Sequence, residues 1–135
     1  MKLIVNVDGG ARGNPGPAAI GVVLRGDDGE VIADAAEPIG MATNNVAEYR
    51  ALIRGIEMAA EHGATELELR GDSELVVKQI RGEYRVKDAG LKPLHAEARS
   101  KLSAFSSWKF DHVRREQNAE ADALVNQALD AHTTL

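Results

Sequence analysis

The sequence predicts an α/β domain: one five-stranded mixed sheet, three antiparallel strands followed by two parallel ones, with helices on both faces. Two observations predict it. Three strand-like patterns, over residues 3–8, 18–24 and 31–35, come first and are joined by short connections. From residue 45 onward the pattern becomes helix, strand, helix, helix, strand, helix, without repeats or low-complexity linkers, which lays helices over the faces of a sheet.

Each element has a local reason. Leu3, Val5 and Val7 alternate with Ile4, Asn6 and Asp8, the period of a strand. Ala18–Leu24 is a second strand, and G-D-D-G-E at 26–30 is a hairpin turn of the Asp-Gly kind into a third, Val31–Ala35. From Asn45 to His62, Leu52, Ile56 and Ala59 recur at helical spacing, and Gly63 suits a C-terminal cap. Glu66–Arg70 reads as a short strand, with Asp72 placed to cap a helix to about Ile80. Pro93 fits the first turn of a helix reaching Ala104. Trp108, Phe110 and His112 alternate on a last strand, and Asn118 is placed to cap a final helix to about Ala131.

With 135 residues, 44% of them hydrophobic, the chain is expected to fold as a single domain, residues 1–135, around one core. It has no cysteine, so disulfides and thiolate zinc sites are excluded. Neither a signal-peptide pattern nor an apolar run near the roughly 20 residues of a membrane span is present, so a cytoplasmic monomer with no membrane partner is expected. The net charge of −5 argues only weakly against a nucleic-acid partner, because phosphates are neutralised by local cations rather than by the total.

Residues 7–16, V-D-G-G-A-R-G-N-P-G, resemble a phosphate-binding loop at first sight. A P-loop or dinucleotide fingerprint runs from its glycines into a helix, however, whereas here Gly16 is followed by Pro17 and a strand. A wide turn with Pro15 and Pro17 as stiffeners accounts for the glycines alone. It does not account for Asp8, an acid at the end of a strand in the middle of the sheet, where burial is costly unless a cation is bound.

Three further acids share that oddity. Glu48 lies on the helix face that carries Leu52 and Gly55, and Asp122 on the face that carries Val125 and Leu129. Glu48 also fits a capping box with Asn45, and Asp72 fits a helix N-cap, so each acid alone stays ambiguous. Taken together, Asp8 and Asp72 end strands while Glu48 and Asp122 begin helices, so all four can meet at one edge of the sheet. Clustered carboxylates resist ionising together unless cations hold them, and Mg²⁺, with Mn²⁺ as a substitute, takes such oxygen ligands along with substrate phosphates. Two such ions clamp the attacking and leaving oxygens of a phosphodiester displacement, which makes metal-dependent phosphodiester hydrolysis the expected chemistry.

Along nearly its whole length the chain also resembles a known family, type 1 ribonuclease H. D-G-G-A-R-G-N-P-G at 8–16, T-N-N-V-A-E-Y-R-A-L at 43–52, L-R-G-D-S-E-L-V at 69–76 and N-A-E-A-D-A-L at 118–124 occur in that family's order and spacing. The resemblance implies a ribonuclease H-like sheet, an RNA–DNA hybrid as substrate, and cleavage of the RNA strand to leave 5′-phosphate and 3′-hydroxyl ends. It implies Asp8, Glu48, Asp72 and Asp122 as catalytic metal ligands, with two Mg²⁺ ions when substrate is bound. It implies that Asn14, Asn44 and Asn45 contact the minor groove and RNA 2′-hydroxyls, with the loop glycines letting the backbone lie close to the nucleic acid.

The resemblance extends to the surroundings with less force. Thr43 corresponds to a position that binds a DNA phosphate, and is equally an ordinary helix-start threonine. Tyr84 corresponds to an aromatic ring that stacks on the DNA sugar, and reads as well as a helix-end aromatic. Lys78, Arg81, Arg85, Lys87 and Lys92 make one basic stretch around it. Two departures stand out. The segment R-G-E-Y-R-V-K-D-A-G-L-K-P has no room for the extra basic helix of some members, and the loop R-R-E-Q-N lacks the histidine that many place before the last acid. Arg115 is the candidate for that catalytic role, against a solvated loop charge. A non-catalytic hybrid-binding module, or a nuclease that also cuts RNA duplexes, are the competing functions; the presence of all four acids argues against the first.

Overall fold

The computed structural model describes residues 1–133 and has the element order β1 (Lys2–Ala11), β2 (Gly16–Gly26), β3 (Val31–Ala42), α1 (Asn44–Glu61), β4 (Glu66–Gly71), α2 (Glu74–Ile80), α3 (Lys92–Leu102), β5 (Ser107–His112), a 3₁₀ turn (Arg115–Asn118) and α4 (Ala119–Thr133). The strands form one sheet in the order β3-β2-β1-β4-β5, antiparallel from β3 to β1 and parallel from β1 to β5. Leu3, Val5 and Val7 of β1, with Leu67 and Leu69 of β4 and Phe110 of β5, face Leu52 and Ile56 of α1 in the larger core. On the opposite face Val125, Ala128 and Leu129 of α4 close over Ala19 of β2. No helix among the described residues is long and apolar enough to cross a membrane.

Two strands run further than local pattern suggests. β3 continues past the expected end at Ala35 to Ala42, through Pro38 and Gly40, because it is at the sheet's edge and an edge strand tolerates a missing N–H. The pairing steps from Ala18↔Gly40 to Ala19↔Pro38, so Ile39 is an extra residue bulged out of the ladder. β1 continues through Gly9, Gly10 and Ala11, paired with Ile20, Ala19 and Ala18.

Three caps differ from the local reading. Thr43, not Asn45, caps α1, its hydroxyl accepting from the Val46 N–H at 3.2 Å. Ser73, not Asp72, caps α2, accepting from the Val76 N–H at 3.3 Å. Asn118 caps nothing; its buried side chain donates to the Val7 carbonyl at 2.9 Å and accepts from Asn6 Nδ2 at 3.0 Å. At α1 and α2 a neighbouring residue takes the capping place, which leaves Glu48 and Asp72 for other contacts.

Candidate active site

Two close backbone approaches bring the acids together. At Gly9 a Cβ would lie 2.2 Å from the Ala47 carbonyl oxygen, so only glycine lets the first turn of α1 settle on β1. That contact places Glu48 beside Asp8, and Glu48 Oε1 accepts the Gly9 N–H at 2.8 Å. Gly21, paired with Asp8 across the ladder, has the same relation to α4, where a Cβ would lie 2.2 Å from the Ala121 carbonyl oxygen. This fixes Asp122 one residue further on. The glycine-rich loop is thus explained in part from inside the protein: Gly9 admits a helix, where the resemblance had implied room for nucleic acid.

Carboxylate oxygens of Asp8, Glu48 and Asp72 lie within 4.8 Å of one another, and Asp122 lines the same open cleft of about 410 Å³. Burial pushes Asp8 well above the usual carboxylate range, and repulsion from Glu48 and a hydrogen bond to it add to the shift, followed by Asp72 and Asp122. Glu48 is raised too, again first by burial, although its bonds from Asp8 and the Gly9 N–H and the charge of Arg115 pull the other way. Burial and the neighbouring carboxylates thus favour a proton on Asp8 when no cation is present. Asn126, one turn beyond Asp122, donates to Asp122 Oδ2 at 3.4 Å and lines the cleft.

A second buried acid shows what is unusual here. Glu68 is 8% exposed, comparable with Asp8 at 6% and Glu48 at 9%. Lys109 at 2.8 Å, Arg70 at 3.4 Å and Lys2 at 3.9 Å surround it, and the Lys109 hydrogen bond leads in holding its carboxyl below the usual range. Among the described residues none of the four cleft acids is in an ion pair with lysine or arginine. The protein surrounds a buried carboxylate with paired cations at Glu68, whereas the acids of the cleft have Arg115 near them but no direct ion pair among the described residues. An oxygen-only, anionic donor set of this kind fits a hard divalent cation such as Mg²⁺.

The chain matches the family model described as reverse transcriptase-like over residues 6–128. It is 33% identical over 145 residues to a ribonuclease H of Erythrobacter litoralis, covering 96% of each. The chain belongs to the ribonuclease H family. A ribonuclease HI of Halobacterium salinarum is 50% identical over 123 residues, 91% of this chain and 62% of that relative, so the chain spans less than two thirds of that protein's length. The crystal structure of a Halobacterium ribonuclease H1 superposes with a TM-score of 0.95 at 47% identity, covering 97% of this chain and 99% of that one. LC11-RNase H1, solved in complex with an RNA/DNA hybrid, superposes with a TM-score of 0.93 at 44% identity, covering 98% and 99%.

In this ribonuclease H fold the other expected residues are placed unequally. Asn44 and Asn45 form a ridge between the acid cleft and a second cleft of about 500 Å³, which Asn14, Thr43, Asp88 and Leu91 also line. Asn44 Oδ1 accepts from the Ala11 N–H at 2.9 Å and Asn14 Oδ1 accepts from the Asn44 N–H at 3.0 Å, so both amides spend their acceptor inside the protein and keep Nδ2 as a donor. Arg115 lines the acid cleft. Tyr84, 45% exposed, borders neither cleft; its ring lies 4.9 Å from Lys78 Nζ, and Lys78 is paired with Glu74 at 2.8 Å. Of the basic stretch, Arg81 is likewise paired, with Glu83 at 2.7 Å. Sequence reasoning passed over Asn126, although an amide four residues after Asp122 on a helix is a legible partner for it.

Proposed function

We propose that this protein is a divalent-metal-dependent endoribonuclease that hydrolyses the RNA strand of RNA–DNA hybrids and leaves 5′-phosphate and 3′-hydroxyl ends. The observation that carries the reading is the cleft in which Asp8, Glu48, Asp72 and Asp122 converge with no lysine or arginine of the described residues paired to them. The family membership and the hybrid-bound relative support the substrate.

Asp8, Glu48, Asp72 and Asp122 would hold Mg²⁺, two ions when substrate is present, with Mn²⁺ able to replace it. When bound, the metal supplies the positive charge the four carboxylates lack and polarises the phosphodiester. The rest falls to the chain's own groups. A bound cation would favour the ionised form of Asp8, and the Gly9 N–H keeps Glu48 Oε1 oriented. Asn126 holds Asp122 at the rim. Asn14 and Asn44 offer Nδ2 donors to 2′-hydroxyl oxygens, the groups that distinguish RNA from DNA, and Asn45 stands beside them on the same ridge. Thr43 lines the second cleft while its hydroxyl caps α1, so it offers a phosphate its remaining hydrogen-bonding capacity. Arg115, in the turn before α4, brings a cation to the cleft for a late step such as release of the anionic product.

The test is incubation with strand-labelled RNA–DNA hybrid, RNA duplex and DNA duplex, in Mg²⁺, in Mn²⁺ and in chelator. Metal-dependent cutting of the hybrid's RNA strand alone is the expected result. Cutting of RNA duplex at a similar rate would move the substrate to the wider class, and binding of hybrid without any cutting would leave only a binding module.

A further inference from the structure

Glu48 and Asp72 come from different elements, and something must hold those elements in register. Tyr49, the residue after Glu48, is wholly buried, and its hydroxyl donates to Gln79 Oε1 at 2.6 Å. Gln79 is 5% exposed and sits near the end of α2, the helix that opens directly after Asp72 and its capping Ser73. Two side chains of α3 grip the far end of the same helix. His95 Nε2 lies 3.1 Å from the Gln79 carbonyl, which can only accept, so that nitrogen carries the proton. Arg99 Nη1 donates to the Ile80 carbonyl at 2.5 Å, with its guanidinium 5.6 Å from the Trp108 ring. The His95 ring also meets Tyr49 edge-on, with centroids 6.4 Å apart.

This network is a poor device for stability alone. A buried hydroxyl and a buried amide that satisfy each other contribute only about 1 kcal/mol net, and an apolar pair of the same shape does as well. What the pair adds is direction, since one hydrogen bond at 2.6 Å fixes the height and rotation of α2 against α1 where greasy packing would allow sliding. A helix of seven residues is about 10 Å long and stiff, so a slip at its Gln79 end is transmitted to Asp72 at the other.

We infer that Tyr49 and Gln79, braced by His95 and Arg99, are positioning residues that set the separation of Glu48 from Asp72 and through it the affinity of the carboxylate cluster for Mg²⁺. The inference rests on the proposed metal-binding reading of that cluster. Mg²⁺ is the demanding ion, wanting near-ideal octahedral geometry at about 2.0–2.1 Å, whereas Ca²⁺ accepts longer and more variable distances. A loosened α2 therefore harms Mg²⁺ binding more than Ca²⁺ binding.

The experiment is calorimetric titration of the substrate-free full chain with Mg²⁺ and with Ca²⁺, in wild type, in Tyr49→Phe and in the double variant Tyr49→Phe/Gln79→Leu. Outer partners of metal ligands are typically worth about 10–100-fold in affinity, and at this further remove a loss of about 10-fold for Mg²⁺, with a smaller loss for Ca²⁺, is expected in Tyr49→Phe. The double variant replaces the polar pair by an apolar one, so it regains thermal stability while Mg²⁺ binding stays weak, and it serves in place of the single variant if that misfolds. Unchanged Mg²⁺ affinity in a folded variant, or equal losses for both ions, overturns the inference. Wild type that binds neither ion overturns the metal reading itself, and the inference with it.

Discussion

Replacing Asp8 by asparagine should make the metal-free protein more stable while abolishing its response to metal. Asp8 is 6% exposed, with carboxylate oxygens of Glu48 and Asp72 within 4.8 Å. At an effective dielectric constant of about 20, two unit charges at roughly that distance repel by about 3–4 kcal/mol. The folded protein avoids the repulsion by keeping a proton on Asp8, which costs about 1.4 kcal/mol for each pH unit above the carboxyl's ordinary value of 3.8. Because the folded-state pKa of Asp8 is raised, to about 10, this contribution is fully present below about pH 4 and is lost progressively as pH rises toward 10. The asparagine side chain cannot ionise and still reaches Glu48 with a hydrogen bond. At pH 8 that rule gives at most about 6 kcal/mol, most of which solvent and relaxation at the open cleft screen away, so in chelator Asp8→Asn should gain about 1–3 kcal/mol, a rise in Tm of about 4–12 °C for a chain of this size. The gap should close toward pH 5. Saturating Mg²⁺ should raise the Tm of wild type and leave the variant where it was. Thermal scans by circular dichroism at pH 5, 7 and 8, with Mg²⁺ and with chelator, make the comparison. A variant that melts below wild type in chelator at every pH would show that the cluster stores no repulsion, and the case for a missing cation would fail with it.

Four other outcomes are expected. Asp72→Asn should fold and lose at least about 10³-fold in cleavage of hybrid, since several kcal/mol of transition-state stabilisation pass through that ligand; activity within tenfold of wild type would refute its role. Arg115→Ala should lower kcat with little change in KM, as befits a cation acting late, and an unchanged kcat would return it to the solvated surface. Gly9→Ala should destabilise the fold by roughly 1–3 kcal/mol and weaken Mg²⁺ binding together, because its Cβ would force α1 and Glu48 away from β1; a stable variant with normal metal binding would contradict the close approach. A short run of 2′-deoxy residues at the cut site should block cleavage there, as measured on an end-labelled strand, and continued cutting within the run would deny the asparagines their part.

The sequence by itself determined the α/β class and the succession of strands and helices, and it marked out the four acids that the fold brings to one cleft, because these rest on short-range signals. Alternation in residues 3–8, the Asp-Gly turn before Val31 and the helical spacing of Leu52, Ile56 and Ala59 are each legible within one element. The acids stood out because each interrupts an apolar face, an anomaly that needs no coordinates to see. What the tertiary structure decided is everything that depends on how elements dock. Thr43, Asn44 and Asn45 are all acceptable caps, and the place where β3 runs out selects Thr43, leaving Asn44 to bind Ala11 and Glu48 to bind Gly9. Asn118 looks like a cap in one dimension and is a buried tie to Val7 in three. Gly9 reads as loop flexibility, but the 2.2 Å approach of α1 gives it a different purpose. Tyr49 and Gln79, thirty residues apart, carry no local sign of their bond. The physical reason is common to all of these: a hydrogen bond or a backbone contact between distant residues is specified by the relative placement of whole elements, which the packing of both faces of the sheet sets at once and no single stretch of sequence encodes.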